Sequence, residues 1–100
     1  MTERRRAPRT EIELPCLLRR RRGSAIDART RNLCPGGMCV STPRPLVLDE
    51  VLEFRLPLAD AESVEGRARV LRHEGHDAYA LRFERLPEPA RARLQGLTAG

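Results

Sequence analysis

The chain has no lysine, no tryptophan and only three aromatic residues. Nor does any apolar run approach the ~18 residues that a membrane-spanning helix needs. The last absence argues against a helical membrane protein, and a length of 100 residues argues for one small soluble domain rather than two cores. The scarce aromatics, Phe54, Tyr79 and Phe83, all fall at alternating, core-type positions, which leaves no platform on which bases could stack.

Cysteine is also sparse. Cys16, Cys34 and Cys39 are an odd number, without the close cysteine and histidine pairing of zinc sites, and His73 and His76 lie far along the chain. No metal site is expected, and Cys16 and Cys39 read as free thiols packed like small hydrophobes. Serine occurs at 24, 41 and 63, never in a Gly-x-Ser-x-Gly elbow, and the carboxylates are scattered over strand faces. With no nucleophile and base in register, the chain is not expected to be an enzyme. Its opening residues are basic, like the start of a secretory leader, but no apolar stretch follows them; a cytoplasmic protein is expected.

Arginine is what the sequence has in quantity. All 19 basic residues are arginine, so every cation is a planar, bidentate donor. Ten of them, against four carboxylates, precede Gly36; nine, against ten, follow Pro35. The positive field therefore belongs to the N-terminal third, where it attracts phosphate or other anions.

Residues 1–9 carry four arginines and no apolar period, and read as a flexible basic arm. Ile12, Leu14, Cys16 and Leu18 then alternate with polar neighbours as in a half-buried strand, with Pro15 marking an edge or a bulge. Arg19-Arg20-Arg21-Arg22-Gly23-Ser24 reads as a solvated hairpin tip, and Ala25 to Leu33 as a second strand. In Cys34-Pro35-Gly36-Gly37 the proline and glycine predict a type II turn. Four more alternating segments follow: Met38 to Thr42, Leu52 to Leu58, Val64 to Val70 and Tyr79 to Phe83. Six short strands predict an all-β sandwich or barrel. Leu86, Ala90, Leu94 and Leu97 then recur at helical spacing behind Pro87, giving a short amphipathic helix that must dock to be stable. The division expected is a flexible arm over 1–9, a β-barrel over 10–86 and a C-terminal helix and tail over 87–100.

Two motifs stand out against this frame. Arg5 and Arg9 form the chain's only Arg-x-x-x-Arg pair, and Asn32-Leu33-Cys34-Pro35-Gly36-Gly37 sits at a strand-turn-strand corner. In their order and strand context these resemble the two signatures of the PilZ domain family, Arg-x-x-x-Arg and Asp/Asn-x-Ser-x-x-Gly. Tyr79-Ala-Leu-Arg-Phe83 is similar to that family's closing strand, so the resemblance covers nearly the whole chain.

The resemblance implies a six-stranded antiparallel β-barrel with a C-terminal helix, and binding of the bacterial second messenger cyclic di-GMP. Guanidinium suits that ligand, because it pairs bidentately with guanine O6 and N7, caps phosphate oxygens and stacks on bases. Carried over by position, Arg5 and Arg9 hold guanine edges and phosphates, Asn32 bonds a guanine, and Gly37 lets the backbone approach the ligand. Gly36 serves the turn or adds a contact, and Arg4 and Arg6 add mainly field. Cys34 departs from the family's serine, and a thiol is the weaker hydrogen-bonding group, so that contact is attenuated. Ala80, where the family often has glycine, bears on packing.

The expected function is a cyclic di-GMP receptor that orders its arginine arm around the ligand and signals to a protein partner, with no cofactor, no specific nucleic acid and no membrane insertion. Two other readings use the same residues. One is a degenerate PilZ-like interaction module that does not bind the nucleotide; the other is a small basic barrel that binds nucleic acid through arginine-phosphate contacts.

Overall fold

Alternating apolar and polar residues set the fold, and in the computed structural model, which describes residues 11–58 and 63–98, they yield six strands and one helix. The strands are β1 (Pro15–Arg19), β2 (Ala25–Cys34), β3 (Gly37–Ser41), β4 (Val51–Pro57), β5 (Ser63–His73) and β6 (Ala78–Arg85); the helix is α1 (Glu88–Thr98). Every strand pairing is antiparallel, and the order β1-β2-β3-β6-β5-β4 closes because β4 returns to β1. The resemblance implied this barrel, whereas strand count alone left a sandwich open.

The barrel is filled by the inward half of each strand. Along β4, Leu52, Phe54 and Leu56 are buried while Val51, Glu53 and Arg55 are exposed. Leu18, Ile26, Leu33, Val40, Val64 and Val70 complete the centre, each contributing roughly 1.5–3 kcal/mol by leaving water. Ala90 and Leu94 of α1 are buried in the same cluster, with Leu86 and Leu97 packed against it. The helix docks mainly on β5, which supplies the support that so short a helix requires.

Four local expectations need correction. The strand read from Ile12 begins only at Pro15, because the Thr30 side chain takes the ladder partner's place at residues 12–14. Among the described residues only the Leu14 carbonyl bonds backbone there, accepting the Thr30 amide at 2.9 Å. The buried Thr30 hydroxyl donates to the Ile12 carbonyl and accepts from the Leu14 amide at 2.9 Å. Pro15 is not at an edge, since the closed barrel has none; it is the first residue of β1 and lies outside the β4 pairing, which starts at Leu17. The Pro35-Gly36 turn is not type II, because Gly36 does not take the left-handed φ that its third position demands.

The arginine tip is not wholly solvated either. Arg20 donates from Nε to Glu50 Oε1 and from Nη2 to Glu50 Oε2, each at 3.1 Å, and from Nη2 to the Pro45 carbonyl at 2.8 Å. It thereby clamps the loop between β3 and β4 to the β1–β2 hairpin. Burial alone would raise the Glu50 pKa, but the hydrogen bonds from Arg20 and the Val47 amide outweigh it and hold the carboxyl below its ordinary range.

Candidate functional site

A break in alternation builds the site. In β2 the buried residues run Ile26, Ala28, Thr30 and then Leu33, an interval of three where the strand period is two. The register against β3 shifts at this point, from Thr30 opposite Val40 to Asn32 opposite Cys39. Arg31 is thus the extra residue of a β-bulge, and the bulge turns Asn32 outward into phase with Cys34. A second bulge, where β5 runs past β6, leaves Leu71 unpaired between Val70 and Arg72.

The two bulges flank a cleft on the barrel's outer wall. It has a volume of about 230 Å³ and is lined by Asn32, Cys34, Gly36 and Gly37 from the β2–β3 hairpin, and by Leu71, Arg72, Ala80 and Arg82 from β5 and β6. Register explains its shape. One row across the wall reads Asn32, Cys39, Ala80, Arg72 and the next reads Cys34, Gly37, Arg82. Small residues form the floor and longer polar ones the rim.

Each sequence-predicted residue can now be placed. Asn32, Cys34, Gly36 and Gly37 come together in the cleft, Asn32 and Cys34 half-buried and Gly36 exposed. Arg4, Arg5, Arg6 and Arg9 lie outside the described residues. A Cβ on Gly37 would collide with the Leu81 carbonyl oxygen, so the packing of β6 by itself requires glycine at this position. Gly36 has open space around it, and its carbonyl accepts the Phe83 amide at 2.9 Å, which ties the turn to β6.

The sequence reading missed Arg72, Arg82 and Leu71. Their signal was present, since charged residues recur along β5 and β6 at the outward period, but strand-face charge is ordinary and singles out no one of them. Both arginines are engaged: Arg72 Nε lies 2.6 Å from Glu74 Oε2, and Arg82 Nη2 lies 3.1 Å from Glu84 Oε2. Glu84 also receives Arg69 at 2.9 Å, and these hydrogen bonds, from Arg69 first and then Arg82, lower its carboxyl to about 2.

The thiols divide by depth. Cys16 is buried in the core, which pushes its pKa up to about 12 and leaves it inert near neutral pH. Cys34 is half-buried in the cleft, and its thiol donates to the Gly37 carbonyl at 3.4 Å, an internal partner across the hairpin. Among the described residues no group of histidine, cysteine or carboxylate side chains could hold a metal ion.

A closed six-stranded barrel with a polar cleft on its outer wall, between two bulges, is the class of domain these features define. The PilZ domain model matches residues 3–100, and the chain belongs to that family. Solved structures agree on the fold. The PilZ domain of Escherichia coli YcgR with c-di-GMP superposes with a TM-score of 0.78 at 16% identity, over 97% of this chain and 90% of that one. The PilZ domain of CeSA from a cellulose-synthesizing bacterium gives 0.72 at 23% identity, over 93% and 96%. The Bacillus subtilis inhibitor of motility MotI gives 0.83 at 18% identity over 98% of this chain, which spans about half (51%) of its length. Comparison with curated proteins gives no significant match.

Proposed function

We propose that this domain is a receptor for cyclic di-GMP, held between the β2–β3–β6 cleft and the arginines of the N-terminal segment, and that it passes the signal to a protein partner. The observation that carries the reading is the convergence of Asn32, Cys34, Gly36 and Gly37 on one cleft. Membership of a family with a relative solved with c-di-GMP supports the choice of ligand.

Charge supports the role of the N-terminal arginines. The ligand carries two phosphates, and the cleft's own cations, Arg72 and Arg82, are already paired with Glu74 and Glu84. Binding a dianion there requires cations from elsewhere. Ile12 is bonded to Thr30, two residues from Asn32. Arg9 precedes Ile12 by three residues, a length of chain that spans at most roughly 11 Å when extended, at about 3.3–3.6 Å per residue. Arg5 is seven residues away, within roughly 25 Å by the same measure. Chain length therefore allows guanidinium groups of that segment to meet a ligand in the cleft, where the Asn32 amide offers both a donor and an acceptor to a guanine edge.

Isothermal titration of the chain with cyclic di-GMP at moderate salt, with GTP and a short DNA duplex as controls, tests the reading. Saturable heat with the cyclic dinucleotide alone is expected, and the stoichiometry counts the ligands held. Absence of heat transfers the assignment to a partner-binding module that does not take the nucleotide, with the Cys34 thiol as the reason. Salt-sensitive binding to DNA alone would make the domain a basic nucleic-acid binder.

A further inference from the structure

A second cleft lies on another part of the wall. A cleft of about 470 Å³ opens over β1, β4 and β5, with Arg19, Arg55, Arg67 and Arg85 around it, and Glu53 and Glu65 between them. Its volume is in the range of ordinary ligand sites. The cross-strand register sets the order of charge along its main row: Arg19, Glu53, Arg67, Arg85, on four successive strands about 4.8 Å apart. Arg55 and Glu65 form the row below, paired with each other at 3.4 Å.

Three of these arginines are uncommitted. Among the described residues Arg19, Arg67 and Arg85 have no ion pair and no side-chain hydrogen bond, although all three are exposed at the cleft. Gly66 lets β5 pack closely beneath the cleft, since a Cβ there would meet the Arg85 carbonyl and lie 3.1 Å from the Phe54 ring. Leu17 adds an apolar surface that is 37% exposed.

We propose that this cleft docks an acidic segment of a partner protein, with spaced carboxylates bridging Arg67 to Arg85 and engaging Arg19. Arg67 and Arg85 are register neighbours with no carboxylate between them, so one ligand carboxylate reaches both. Glu53 separates that pair from Arg19, and therefore favours an occupant whose negative charges are also separated. A continuous phosphate backbone would run over Glu53 and Glu65, and Phe54, the only aromatic in the lining, is buried, so bases find no ring to stack on. Peptide amides or an occasional basic side chain satisfy Glu53, while Glu65 is already held by Arg55. The surface is separate from the β2–β3–β6 cleft, and its use does not depend on the identity of the ligand there.

The test is a nitrogen-15 NMR titration of the full chain with an octapeptide alternating glutamate and alanine. Its counterparts are an octapeptide alternating lysine and alanine, inorganic phosphate, and a single-stranded DNA octamer. Saturable movement of the Arg19, Arg67 and Arg85 Nε–H signals is expected with the glutamate peptide alone. The double variant R67Q/R85Q should weaken that binding about fivefold, the effect of losing two exposed charge pairs, with its thermal melting and its cyclic di-GMP titration unchanged. Any of three results overturns the proposal: no saturable movement, tighter binding of the DNA octamer or of phosphate, or parental peptide affinity in the double variant.

Discussion

The two clefts of this barrel are built from the same residue type in opposite states. On the β2–β3–β6 wall the arginines Arg72 and Arg82 are paired with Glu74 and Glu84, and the floor is of small, uncharged residues. On the β1–β4–β5 wall Arg19, Arg67 and Arg85 have no carboxylate partner among the described residues. An arginine count would rank the second wall as the anion site, yet the resemblance to known PilZ signatures points to the first. The difference resolves once cations are allowed to come from another segment. In the proposed reading, a wall whose own charges are spent supplies shape and hydrogen bonds and draws its charge from the N-terminal arginines, whereas a wall whose arginines are unpaired among the described residues needs no such help.

Breaking that division of labour has its largest expected effect at the N-terminal arginines. Arg9→Ala should weaken cyclic di-GMP binding roughly 10- to 150-fold, as expected for losing hydrogen bonds to a charged group, and Arg5→Ala should act similarly. Neither should alter binding of the glutamate peptide at the other wall; titration of both ligands against each variant checks this. Gly37→Ala is the next largest. Its methyl meets the Leu81 carbonyl, and overpacking of this kind costs about 1–3 kcal/mol. A lowered denaturation midpoint is expected, and a parental midpoint would show that β3 and β6 separate more easily than their register implies.

Cys34→Ser sharpens the comparison from the other side. A hydroxyl restores the stronger hydrogen-bonding group in the first cleft, and affinity for cyclic di-GMP should rise about two- to tenfold, the worth of one neutral hydrogen bond. No gain would mean that the thiol, already donating to Gly37, stands aside from the ligand. The smallest effect concerns acid. Glu50 has a depressed pKa, so the stability it contributes is present above its unfolded value near 4.5 and is lost as pH falls through the lower folded value. Glu50→Gln should flatten the pH dependence of stability below about 4.5, measured by urea unfolding at several pH values, and leave both clefts' affinities unchanged.

Much of this molecule is legible in its sequence, because a strand with one face on a core must alternate. Leu52, Phe54 and Leu56 announce β4, and Ala90 and Leu94 announce the docked face of α1. What escapes is whatever depends on a partner strand. The three-residue interval from Thr30 to Leu33 is visible as a break in period, but only the pairing with β3 shows it to be a bulge that turns Asn32 outward. Gly37 reads as a ligand glycine from the motif, and its close packing against β6 is a second reason for glycine that the sequence does not show. Thr30 reads as one more strand residue, whereas its buried hydroxyl takes the place of a ladder partner for the Ile12 carbonyl and the Leu14 amide. Arg72 and Arg82 reach the cleft from far along the chain, and nothing local distinguishes them from other outward arginines.

The most direct test of the central claim is to map cyclic di-GMP on the folded chain by nitrogen-15 NMR, following the Asn32 side-chain amide and the backbone amides of Cys34, Cys39 and Ala80 together with those of Arg19, Arg67 and Arg85. The account predicts saturable shifts in the first group, absent in an Arg9→Ala variant at the same ligand concentration, and none beyond the salt control in the second. Shifts centred on Arg67 and Arg85, with Asn32 and Cys34 unmoved, would contradict it and place the nucleotide on the wall with the free arginines.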